Sequence, residues 1–197
     1  MGPATGRERL LAAAMALFPQ SGFAATTVED LVSTAGVTPP VLYHHFGTKA
    51  GLYVAAAEET YRTVLDRHRM ILDGEPTFAE AIDRLMDLAK VLRVEQPALA
   101  SMMLTVVIDI QRDPDLEDRL GPLLREFRRF FDGVAAIAPP ELRPTPAAQR
   151  NLARALVTLM NGLDITALMS RTLSDYRQTV NALQALLLHG VNGVEPR

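Results

Sequence analysis

No stretch of this chain alternates apolar and polar residues with a period of two. From Leu10 to Leu188 the apolar residues return at intervals of three and four, the spacing of one face of a helix. A chain patterned in this way has to bury helix against helix, which predicts an all-α fold of about nine helices. Its 197 residues are ample for a core and for two domains.

Glycines, prolines and threonines divide the pattern. A first helix over 5–19 stops at Gly22, and a second occupies 28–34. Thr26 or Thr27 caps the second helix, with Thr26-x-x-Glu29 reading as a capping box. Gly36 marks a tight turn, after which Thr38 caps a third helix. Pro39 and Pro40 open that helix rather than break it, because first-turn amides have no partner inside a helix. Gly47 ends it and Thr48 caps a fourth helix over 49–72. Further helices fall at 78–94, 97–111, 114 onward, 147–171 and 174–190, with a proline-rich loop at 139–146.

Composition narrows the function. Cysteine is absent, so there is neither a disulfide framework nor a thiolate metal site, as suits a reducing, cytoplasmic setting. LLAAAMALF at 10–18 resembles a short secretory core, but its spacing is that of a buried helix face. No apolar run is expected to approach the ~18 residues of a membrane span. The formal net charge is −3, and residues 1–50 hold three basic and three acidic side chains. Nucleic-acid binding by such a neutral segment needs a few placed contacts and more than one copy of the chain. No nucleophile–base spacing, HExxH motif or phosphate-cradling glycine loop appears, so no enzyme activity and no cofactor are expected. His44 and His45 point ~100° apart on a helix and do not converge on a metal.

The second and third helices have the proportions of a helix-turn-helix, whose second helix enters the major groove. Tyr43 and His44 lie one turn beyond the prolines, where a phenol and an imidazole donate to phosphate oxygens. The exposed proline rings suit a thymine methyl rather than a bidentate hydrogen bond. Lys49 adds a point charge, and the first-turn amides of the second and fourth helices attract phosphate.

The run LFPQSGFAATTVEDLVSTAGVTPPVLYHHFGTKAGLY, residues 17–53, resembles the N-terminal domain of TetR-family transcriptional regulators. Leu17-Phe18, Gly22-Phe23, Thr26-Thr27-Val28, Ala35-Gly36-Val37, Leu42 to Phe46, Lys49 and Leu52 carry the likeness in order. The resemblance implies a helix-turn-helix head at 1–47 and a larger ligand-binding and dimerisation domain at 48–197, joined by the fourth helix. It implies a ligand-responsive repressor, released from a palindromic double-stranded operator by a small-molecule effector. By family position Thr27, Thr38, Pro39, Tyr43, His44 and Lys49 touch DNA. Two prolines in the third helix's first turn depart from the family's usual small polar residues and shift the expected readout toward phosphate contacts and DNA shape. The alternative reading is a small-molecule binding or sequestering protein with weak DNA binding, suggested by the neutral head.

For the effector, polar groups within apolar runs and adaptable methionines give the candidates: Met86, Met102, Met103, Asp109, Phe127, Met160 and Asn161. The last two helices are apolar on more than one face, with Met160, Ala167 and Leu168 on one and Leu186 and Leu188 on the other. That surplus predicts a homodimer through them.

Overall fold

Thr5 caps α1 (Gly6–Ala25): its hydroxyl accepts from the Glu8 amide, and Glu8 reaches back to the Thr5 amide. Gly22 interrupts α1 with φ 75°, so the expected stop is a kink, and helical turns resume as far as Ala25. The computed structural model describes residues 4–192, with side chains to His189; the extreme ends of the two expected domains, 1–3 and 193–197, lie outside the described residues. The helices that follow are α2 (Val28–Ala35), α3 (Pro39–Phe46), α4 (Lys49–Arg69), α5 (Phe78–Glu95), α6 (Pro97–Asp109), α7 (Pro114–Ala136), α8 (Pro146–Met169) and α9 (Leu173–Asn192). Among the described residues there is no strand.

Packing sorts the helices into two units: residues up to Arg62 with Ser101–Leu123, and Thr63–Ala100 with Leu124 onward. The expected boundary at residue 47 falls inside the first unit. In that unit α1, α2 and α3 pack on one another, burying Leu10, Ala14, Phe18, Leu31 and Leu42. Tyr53 of α4 stands edge-on to Phe18, with ring centroids 4.8 Å apart.

In the second unit α5 lies against α8 and α9, which also pack together. α5 buries Ala81, Ile82, Leu85 and Met86, and α8 buries the stripe Ala153, Leu156, Met160, Leu163 and Ala167. The Lys90 ammonium bonds Asn181 and Gln184 of α9, and Gln184 in turn donates to Asp83. Against expectation, α8 is one helix long and apolar enough to cross a membrane, with a mean hydropathy of 1.3 over its best 18 residues. Its buried stripe packs as that of a core helix does, and its remaining apolar residues face outward.

Candidate nucleic-acid interface

The helix-turn-helix is fixed from its caps. Thr27 caps α2 in a reciprocal box with Asp30: its hydroxyl donates to Asp30 at 2.6 Å and accepts from the Asp30 amide at 3.1 Å. The box is therefore Thr27–Asp30 and not Thr26–Glu29. Thr26 is buried, and its hydroxyl donates to the Gly22 carbonyl at 2.8 Å. Gly36 ends α2 at φ 60°, ψ 41°, a left-handed position that glycine takes without a Cβ penalty. Arg9 holds that turn from α1 by donating to the Gly36 carbonyl at 3.1 Å.

Pro39 and Pro40 occupy the first two positions of α3 as expected. Thr38 stands at the cap position, but its hydroxyl makes no capping hydrogen bond; the backbone closes the turn through Val41 N–H to Thr38 O at 3.0 Å. Leu42 is wholly buried and anchors the helix, while Thr38, Pro39, Pro40, Tyr43, His44 and His45 are exposed, Tyr43 at 52%. Phe46 is half-buried beneath the Arg7 guanidinium, 5.6 Å from its ring. The result is a short, stiff rod with its apolar edge inward and hydroxyl, phenol and imidazole groups outward.

Two of the expected contacts are engaged inside the protein. Lys49 does not stand as a free charge. Its ammonium donates to the carbonyls of Phe23 and Thr26, both at 2.8 Å, and lies 4.4 Å from the Phe23 ring centroid. Three of its donors are available and two are used here, because the carbonyls ending α1 have no helical partner. The Thr27 hydroxyl proton is likewise committed to Asp30. The α2 N-terminus also differs from the expected phosphate site, since Glu29 and Asp30 stand in its first turn and complement the dipole themselves.

Beneath this interface lies a tether that sequence reasoning read otherwise. Asp109 of α6 is buried, and its Oδ2 accepts from the Phe23 amide and from the Tyr53 hydroxyl, each at 2.9 Å. An anionic acceptor so held ties α6 to the α1 kink and to α4 within the first unit. It is engaged within the fold, where the sequence suggested a ligand group. Burial, and then the Asp109 carboxylate, push the Tyr53 phenol far above its usual range.

The remaining ligand candidates divide between the units. Met102 and Met103 are buried in the first; Met86, Phe127 and Met160 are buried and Asn161 half-buried in the second. None of them lines the second unit's two described clefts, which are bordered by Arg67, Met70 and Arg84 and by Arg128, Arg150 and Arg154. Sequence reasoning passed over His68, whose neighbours in DRHRM are polar. The ring is buried against Phe127, Phe130 and Phe131. Its Nδ1 donates to the Val64 carbonyl at 2.8 Å, leaving Nε2 a buried acceptor without a partner. Burial lowers its pKa to about 4. Burial likewise pushes the Asp164 carboxyl up to about 7, and Tyr176 up to about 12 with help from Asp164. Among the described residues no group of acidic or histidine side chains converges as a metal site.

With this geometry in place, comparison with known proteins is informative. Residues 10–56 match the family described as bacterial regulatory proteins, tetR family. Residues 10–56 thus carry a domain of the TetR-family type. The transcriptional repressor KstR2 of Mycolicibacterium smegmatis is 40% identical over 75 residues, 36% of this chain and 35% of that protein. The regulator CymR of Pseudomonas putida is 30% identical over 110 residues, 56% of this chain and 53% of that one. The chain thus spans about a third to a half of the length of these curated relatives. At the level of fold alone the likeness extends over most of the chain. FadR of Bacillus subtilis, solved with stearoyl-CoA, superposes with TM-score 0.73 at 16% identity, over 93% of this chain and 98% of that one.

Proposed function

We propose that this chain is a transcriptional regulator, a repressor whose grip on a palindromic operator is released by a small molecule. The observation that carries the reading is the exposed rod 38–46, set on a buried Leu42 inside a TetR-family head. In this reading residues 1–47 bind DNA. Tyr43 and His44 donate to phosphate, Thr38 offers an uncommitted hydroxyl, and Pro39 lies against base edges. Lys49 meets the backbone with the one ammonium proton its internal bonds leave, and Thr27 does so by turning its hydroxyl proton from Asp30 to a phosphate oxygen. Residues 48–197 hold the effector and the dimer interface, and the protein works in the cytoplasm with its DNA. No catalytic step is assigned to it.

A homodimer through α8 and α9 is supported by what those helices leave outside. Ile165, Leu168 and Met169 of α8 and Leu173 and Leu186 of α9 are exposed, Leu186 at 72% and Met169 at 77%. Apolar side chains so placed on two adjacent helices suit a second copy. Two heads also answer the neutral charge, because each adds phosphate contacts and their linkage raises the effective concentration. That a relative by fold carries stearoyl-CoA supports an effector with an apolar body.

The test is a gel shift with operator DNA over a range of salt. Affinity is expected to fall steeply with salt, and Tyr43→Ala or His44→Ala to weaken binding to all sequences alike. Binding unchanged by both substitutions would remove α3 from the interface and favour the sequestering alternative.

A further inference from the structure

A cleft of about 510 Å³ opens between α7 and α8 in the second unit, within the size range of small-molecule sites. Arg128 and Asp132 border it from α7; Arg150 and Arg154 border it from α8, with Ala153 and Val157 between them as an apolar floor. The chain as a whole is acidic, yet here three guanidiniums face one carboxylate. None of the three, among the described residues, has a carboxylate within ion-pairing distance, although Asp132 borders the same cleft. Among the described residues their one polar bond runs from Arg154 to Asn151, at 3.4 Å and therefore weak. Arg150 and Arg154 are also one turn apart on α8, where like charges repel. The fold holds this charge together without neutralising it.

We infer that this cleft binds a phosphate monoester carrying a short apolar body. Three guanidiniums less one carboxylate leave a charge of about +2, matching the −1.5 to −2 of a phosphate monoester at pH 7. A carboxylate ligand would engage one fork and leave the other two repelling. A phosphate has three oxygens to share among planar donors built for them. Ala153 and Val157 give the ester's carbon chain a surface that inorganic phosphate does not use. The site is independent of the DNA-binding reading.

The test is isothermal titration of the full chain at low salt with three probes: n-hexyl phosphate, inorganic phosphate and 1-hexanol. Hexyl phosphate is expected to bind about tenfold or more tighter than inorganic phosphate, and hexanol not to register. The double variant Arg150→Gln/Arg154→Gln should weaken hexyl phosphate about tenfold or more, while Asp132→Asn should tighten it, a gain that a damaged fold does not give. Gel shifts on the same variants should be unchanged, separating this site from the DNA interface. Equal affinity for the two phosphates, or hexyl phosphate binding that ignores all three substitutions, overturns the assignment.

Discussion

His68 is the side chain whose surroundings most sharply set its chemistry. Burial against three phenylalanine rings holds it neutral, outweighing the upward pull of the Val64 carbonyl, with a pKa of about 4 against an ordinary 6.5. As pH falls, the unfolded chain takes up this proton below about 6.5 and the folded chain only near 4, so stability declines across that window, by about 3 kcal/mol in all. Asp164 works the other way. Its folded carboxyl protonates near 7 and its unfolded one near 3.8, so it adds stability as pH falls between them. Urea titrations from pH 7 to 4 are expected to show His68→Leu losing less stability than the parent, and Asp164→Asn losing more. Parallel curves for all three would contradict the burial of these groups. Neither environment was legible in the sequence. DRHRM looks like a wet helix turn and LMNGLDITALM leaves Asp164 open to water or to an apolar site, and only tertiary packing decides how far each group is withdrawn from water.

At the scale of elements, the caps were legible because their chemistry is local. Prolines opening α3, glycines ending α2 and α3, and the Thr48 hydroxyl accepting from the Gly51 amide at 2.9 Å all follow from neighbours in sequence. The errors arose where two candidates stood side by side. Thr26 and Thr27 offer the same hydroxyl, and only the path of the chain through the Gly22 kink decides which caps α2 and which is buried. The internal bonds of Asp109 and Lys49 escaped the sequence for a similar reason. Each is satisfied by main-chain groups far away in sequence, and periodicity does not report that. The close approach of α3 to α4 also lies outside sequence patterns. A Cβ on Gly51 would overlap the Phe46 carbonyl oxygen. Gly51→Ala is therefore expected to destabilise the protein by about 1–3 kcal/mol, and to weaken DNA binding by moving α3. An unchanged thermal midpoint would show that the turn between α3 and α4 is looser than described.

At the scale of the whole molecule, the proposed function rests on two copies acting together. Apolar surplus on the last two helices was readable from sequence, although Met160 and Ala167 prove to be core and Ile165, Leu168, Met169 and Leu186 make up the outward face. Leu186→Glu places a charge on that face, and light scattering is expected to report a monomer with much weaker operator affinity. A variant that remains dimeric would move the interface elsewhere. The central claim, that the rod 38–46 reads duplex DNA as one of a pair, is tested most directly by selecting bound sequences from a random DNA pool with the purified protein. Two inverted half-sites, their centres separated by about one helical turn of ~10 bp or a multiple of it, are the expected product. A pool that stays random after repeated rounds, or a single unpaired half-site, would contradict it.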